Sequence, residues 1–336
     1  MSQSSVQTPP ADHRPVGVLI TNLGTPQTPS TGSVRRFLRE FLSDPRVVEF
    51  PRALWWLILN GIILLIRPSR SASLYRRVWS DDGSPLLVNS LAQQRALAAA
   101  LPEATVVLGM RYGEPSIEQA IAQLEGAGVE RLLVLPLYPQ YSATTTASTF
   151  DALAQAYRSR RHLPEIRFVP DYHDEPGYID ALAASVRAAR SQPVKRATSK
   201  LLLSFHGIPQ RYADKGDPYP RQCEQTARLL AECLGLAEDE WAMSYQSRVG
   251  REPWLKPYTD KLLETWGEQG VKQVDVLCPG FSADCLETID EIGVENREVF
   301  EEAGGDELTY IPALNASSAH IDALSALVRR RMTDWR

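Results

Sequence analysis

The chain has 336 residues, of which 43% are hydrophobic and 23% charged, with a formal net charge of -5. A chain of that length exceeds one domain of ordinary size, so two domains are expected, and the acidic balance leaves no basic stripe for a phosphate backbone, which argues against nucleic acid as a partner. Cys223, Cys233, Cys278 and Cys285 match neither CxxC nor a paired zinc-ligand spacing, which fits a reduced, cytoplasmic chain.

Residues 1–14 are polar and proline-containing, with no apolar run to serve as a signal peptide, and read as a mobile tail. Short apolar runs followed by turn residues then predict eight parallel strands. Four come first, at 16–23 (VGVLITNL), 105–110, 131–137 (RLLVLPL) and 166–170, and four follow at 201–205, 241–245, 273–277 (QVDVL) and 307–311. Amphipathic runs between them predict helices, among them one begun by a Ser116/Gln119 capping box, one over 151–159 and one over 178–190. Strand–helix alternation implies an α/β fold with two doubly wound, four-stranded sheets. The polar stretch 191–199, with Pro193, reads as a bridge between halves that do not repeat in sequence.

The segment 53–66, ALWWLILNGIILLI, is bracketed by Arg52 and Arg67. It falls short of the roughly 20 apolar residues that a spanning helix needs. Three readings stand: an interfacial helix, an apolar lip at a pocket mouth, or a buried core helix.

In open α/β sheets ligands bind outside the carboxyl ends of the strands. There the chain carries Gly24-Thr25-Pro26, Arg111-Tyr112-Gly113, YPQYSATTT at 138–146, His206, Gln246-Ser247-Arg248 and Gly280-Phe281-Ser282. GxGxxG, GxxxxGK[ST] and GxSxG are absent, which removes the main support for dinucleotide, P-loop and serine-hydrolase readings. His206 ends the run KLLLSFHGIP. It is either a cleft-facing base or metal ligand, or a structural histidine bound to a backbone carbonyl. After the strand QVDVL, Ser282 is placed to cap a helix whose first turn holds Asp284. Asp284, Glu287, Glu291, Glu295, Glu298 and Glu302 then recur at three- or four-residue steps, on one stripe of an α-helix. The last three read as a solvated face, whereas Glu287 lies near the cleft. A histidine and a glutamate without cysteine make a weak divalent-metal site with open positions, suited to a metal in transit.

NLGTP at 22–26, RYGEP at 111–115, YPQYSATTT at 138–146, SFHGIP at 204–209, GDPYP at 216–220, QSRVGREPWLKP at 246–257 and ADCLETIDEI at 283–292 occur in order, and together they resemble the ferrochelatase family. The resemblance implies two Rossmann-like, chelatase-type domains around a porphyrin cleft, and a lyase that inserts ferrous iron into protoporphyrin IX. It implies His206 and Glu287 as the catalytic and metal-site pair. Leu23, Trp254 and Phe281 are candidates for the pocket wall, and Arg111, Tyr112, Ser142 and Thr145 for orienting the ring or its propionates. The expected extents are 15–175 and 176–316, with 317–336 a helix packing back on the first domain. Porphyrin and ferrous iron are the expected partners, with no tightly bound cofactor. The expected monomer is cytoplasmic and touches the inner face of the membrane through 53–66. Some members carry a histidine where this chain has Cys285, and some bind an iron–sulfur cluster through cysteines beyond this position. With no cysteine after Cys285, no such cluster is expected here. Competing readings are a cobalt or coproporphyrin chelatase of the same fold and a non-catalytic haem or metal carrier.

Overall fold

The computed structural model describes residues 14–191, 199–250 and 252–335. The expected tail lies almost wholly outside these residues, as does most of the expected bridge at 191–199. The eight strands are β1 (Val16–Gly24), β2 (Thr105–Tyr112), β3 (Arg131–Pro136), β4 (Glu165–Phe168), β5 (Lys200–His206), β6 (Trp241–Gln246), β7 (Gln273–Leu277) and β8 (Glu307–Ile311). They form two parallel four-stranded sheets in the orders β2-β1-β3-β4 and β6-β5-β7-β8. The halves thus share one topology without sharing a sequence repeat. Each order reverses once, between β1 and β3 and again between β5 and β7. A cleft opens at such reversals because the flanking crossovers leave to opposite faces of the sheet.

The central strands are apolar throughout because helices cover both faces. Val18, Leu19 and Ile20 of β1 and Leu201, Leu202 and Leu203 of β5 are all fully buried. One continuous core joins the two sheets, running from Val18 and Leu133 through Leu201 and Phe205 to Leu324 and Trp335. The predicted helices are present with shifted ends, at Ser148–Tyr157 and Pro176–Arg190, and the Ser116/Gln119 capping box forms as the sequence predicts. The C-terminal helix Ser318–Arg331 packs against Pro176–Arg190 and Pro85–Ala100. Beyond it, Trp335 donates its Nε1–H to Glu165 at 2.6 Å and stacks under Arg167, covering the exposed edge strand β4.

Two local departures shape the site. The apolar segment does not end at Ile66: a single helical run extends from Arg52 to Val78, long and apolar enough by length and composition to cross a membrane, yet only 22% of its most apolar window is buried. Leu59, Leu64, Pro68, Ala72 and Tyr75 face the protein, while Leu54, Trp56, Leu57, Ile62, Leu65 and Ile66 face out. A core helix is thereby excluded for the outer face. The second departure is that Glu287–Asn296 is π-helical, so the even acidic stripe expected of an α-helix does not form. Each turn holds more residues, and steps of four no longer return to one face.

Candidate active site

The strand ends at the second reversal carry the chemistry. His206 is the last residue of β5, half-buried, with Nδ1 2.6 Å from the Gly207 carbonyl oxygen. That contact assigns the ring hydrogen to Nδ1 and leaves Nε2 as the acceptor. Trp254 closes over the next residue: a methyl group on Gly207 would sit 3.2 Å from Trp254 Cε3 and 2.9 Å from the Gln246 carbonyl, so glycine is needed for the approach. On the other side the His206 ring lies 6.3 Å from that of Phe281, centroid to centroid. Phe281 belongs to an apolar cluster with Leu23, Leu86, Ala283 and Cys285, which brings the ends of β1 and β7 into one wall.

The helix that follows starts later than the sequence suggests. Ser282 is buried and does not cap it, because the first helical turn begins beyond it, at Leu286 and Glu287. Asp284 precedes that turn and is also buried. It accepts hydrogen bonds from the Thr288 hydroxyl (3.0 Å), the Asn315 side-chain amide (2.7 Å), the Ala313 backbone (3.2 Å) and the Tyr310 hydroxyl. With four donors on one carboxylate, Asp284 is an anchor for the loop. Glu287 lies one turn on and interacts electrostatically with Arg67 and Tyr75 of the long exposed-faced helix and with the Cys285 thiol. Burial pushes that thiol well up, so it stays neutral.

Glu291, Gln246 and Ser247 complete the constellation; the sequence placed Gln246 and Ser247 at a strand end and Glu291 on the acidic row, but gave none of them a catalytic or binding role. Glu291 accepts from the Ser247 backbone N–H at 2.6 Å and from the Ser247 hydroxyl. Ser247 holds a left-handed φ of 65°, a costly conformation for a residue with a Cβ, and it is what aims both of its donors at the carboxylate. Gln246, paired with His206 across β5 and β6, donates to the Glu287 carbonyl at 3.0 Å. Burial raises the Glu291 carboxyl above its ordinary value, opposed by the Ser247 hydroxyl and by His206 and reinforced by Glu287. The visible signals were the QSR that follows a strand and the four-residue step from Glu287. Glu295, Glu298 and Glu302 are exposed, in keeping with the solvated-face reading.

Four sequence candidates are committed elsewhere. Arg111 and Tyr112 lie within β2 rather than after it. The Arg111 guanidinium and the Tyr112 hydroxyl (2.8 Å) both bond Asp44, which also accepts from Ser148. Tyr112 is buried, and burial pushes its phenol far up, with the Arg111 charge opposing and Asp44 adding to the rise. Ser142 is buried too, with its hydroxyl on Asp217 at 2.9 Å, and the Thr145 hydroxyl is 3.3 Å from the Ser142 carbonyl. The polar atoms of these four are thus engaged with Asp44, Asp217 and the Ser142 carbonyl. A separate cavity of about 390 Å³, lined by Tyr157, Arg160 and His162 among others, lies below the opposite ends of the strands and does not border the site.

The Ferrochelatase family model matches residues 15–332. The chain is 56% identical to the ferrochelatase of Nitrosococcus oceani over 95% of its own length and 88% of that protein's. It is 55% identical to that of Alcanivorax borkumensis over 94% and 93%, and 56% identical to that of Klebsiella pneumoniae over 92% and 96%. Among solved structures, SirB from Bacillus subtilis with Fe3+ superposes with a TM-score of 0.59 over 94% of this chain and 95% of that one, at 12% identity, which shows a shared fold. Taken with the two sheets and the histidine and carboxylates at their reversal, these matches establish that the chain belongs to the ferrochelatase family.

Proposed function

We propose that this protein inserts ferrous iron into protoporphyrin IX and releases protohaem, with His206 and Glu287 as the reacting pair. The observation that carries this reading is the convergence of one imidazole and two carboxylates beside a half-buried aromatic wall at the β5/β7 reversal, in a chain 56% identical to a curated ferrochelatase. The free-base ring carries two pyrrole protons. Both leave as the metal enters, so charge balances and no electron moves. His206 Nε2 accepts a proton from the ring face. Glu291, a buried carboxyl raised above its ordinary value and within Coulombic reach of His206, takes that proton on from the imidazolium, which frees Nε2 to accept the second pyrrole proton and pass it to solvent. Glu287 presents a hard oxygen ligand to the incoming ion, and such a sparse donor set binds weakly enough to let iron pass on. Leu23, Phe281 and Trp254 grip the ring plane, and a wall stiffened by Asp44, Arg111 and Tyr112 can hold it bent, which turns nitrogen lone pairs toward the metal.

The reading includes no resident cofactor and no iron–sulfur cluster: iron is substrate. It takes 15–175 and 176–316 as the two working halves, with 317–336 returning to the first. The protein works as a cytoplasmic monomer whose outward apolar face at 53–66 rests on the inner face of the membrane. The test is an anaerobic absorbance assay with ferrous iron and either protoporphyrin or coproporphyrin, run on the wild type and on His206→Ala. Turnover is expected with protoporphyrin. The variant should lose roughly 10² to 10⁴ in rate, the usual worth of a positioned base, while its porphyrin binding changes by only a few-fold. Stoichiometric haem binding without turnover, or a variant with more than about a tenth of wild-type activity, would overturn it.

A further inference from the structure

Asp290 stands between Glu287 and Glu291 in the π-helical turn, and its side chain is only 3% exposed. Its cationic partner comes from the other half of the molecule. Arg77, in the last turn of the long helix with the exposed apolar face, places Nη1 3.3 Å from Asp290 Oδ1 and 3.4 Å from Oδ2 while 56% of its own side chain remains in solvent. The same helix brings Arg67 into Coulombic range of Glu287. A buried carboxylate paired with a half-solvated guanidinium is a poor source of stability, because the desolvation of the anion offsets the attraction. The best-attested use of such a pair is to specify register. Register is what a π-turn puts at stake: relaxation to the α form would rotate every later side chain by about 100° relative to the strands.

We propose that Arg77 and Asp290 are positioning residues, a peg that holds Glu287–Asn296 in its π register and thereby keeps Glu287 and Glu291 aimed at the space beside His206. This deepens the metal-insertion reading and rests on it. Neither residue touches porphyrin or metal. Arg77 pulls on Asp290, Asp290 fixes the turn, and the turn sets the two flanking carboxylates. Ser247 and Gln246 grip the same turn from β6, so the segment is clamped between elements of both halves.

The experiment compares Arg77→Met, Arg77→Lys, Asp290→Asn and the double variant Arg77→Met/Asp290→Asn, with Arg76→Met as a control for charge at that helix end. Insertion kinetics are read with ferrous iron and with zinc, porphyrin binding by fluorescence quenching, and amide hydrogen exchange over 287–296 by mass spectrometry. Arg77→Met should lower kcat by about 10- to 100-fold, the cost of roughly an ångström of misplacement, with porphyrin binding within twofold and faster exchange confined to the π segment. Lysine at position 77 should restore most of both, and the double variant should be no worse than the poorer single one. The proposal is overturned by an Arg77→Met enzyme with unchanged kcat and unchanged exchange. It is equally overturned by losses that track a lowered melting temperature and that lysine fails to rescue. Exchange does not depend on turnover, so a wild type that binds porphyrin but inserts no metal would sink the functional reading alone and leave the peg to be judged by exchange.

Discussion

Trp55 and Trp56 are neighbours that should behave oppositely. Trp56 is 62% exposed in a row with Leu57, Ile62, Leu65 and Ile66, while Trp55 is half-buried and donates its Nε1–H to the Leu42 carbonyl at 2.6 Å. A tryptophan side chain presents at most about 250 Å², so the exposed part of Trp56 amounts to roughly 150 Å². At about 25 cal/mol per Å², moving all of that surface from water into lipid is worth about 4 kcal/mol, and moving half of it about 2 kcal/mol, or roughly thirtyfold in partition. Trp56→Ser should therefore weaken co-sedimentation with vesicles at least about tenfold and scarcely change the melting temperature. Trp55→Ser gives up packing and a buried hydrogen bond, about 2 to 3 kcal/mol, and should lower the melting temperature by about 5 °C in a chain of this size. Unchanged vesicle binding by Trp56→Ser would refute the interfacial reading. A drop of 5 °C or so in that same variant would refute the burial assignments from which the numbers follow.

Glu287→Gln should cripple insertion, whereas the double change Glu298→Gln/Glu302→Gln, at exposed positions of the following α-helix, should leave steady-state kinetics unaltered and ease repulsion between neighbouring carboxylates. Equal losses in the two would mean that the whole acidic run handles the ion. Burial pulls the Asp44 carboxyl up, but the Ser148 hydroxyl, the Arg46 backbone N–H, the Tyr112 hydroxyl and the Arg111 charge outweigh it and hold it below its ordinary value. A depressed carboxyl contributes stability in full above its unfolded value near about 3.9, and that contribution fades as pH falls through the folded value. The stability gap between wild type and Asp44→Asn in urea titrations should thus be widest at neutral pH and narrow below about pH 4; a constant gap would remove the ionic role. Gly24 has φ +102° and a methyl group there would fall 1.7 Å from the Tyr112 carbonyl oxygen, while one on Gly61 would meet nothing within 4 Å. Gly24→Ala should fail to give soluble protein and Gly61→Ala should fold normally, as circular dichroism of the two can show.

Much of this protein is legible along the chain. The eight strands could be read because helices cover both faces of each sheet, and strands buried on both sides are nearly uniform apolar runs, as in VGVLITNL and QVDVL. Turn residues after most runs located the strand ends, and with them His206 and Phe281, although β2 runs through Gly109 and on to Tyr112, beyond the end expected at 110. The ordered motifs, from NLGTP to ADCLETIDEI, carried the family.

Other features needed the tertiary structure, for a common reason: they depend on partners distant in sequence. A helical repeat counted at 3.6 residues per turn assumes an α-helix, and nothing within 287–296 announces that Gln246, Ser247 and Arg77 hold it in a wider turn. Hence Glu291 belongs with His206 while Glu295, only four residues on, belongs to solvent. RYG and SATTT marked candidate polar groups near the cleft, yet Asp44 and Asp217, from remote segments, occupy the polar atoms of Tyr112 and Ser142. The apolar run at 53–66 left three readings open, because hydrophobicity states what a side chain avoids and not whether protein is there to cover it; that was decided only when the helix at 31–43, with Tyr112 at the end of β2, took up one face of it and left the other bare.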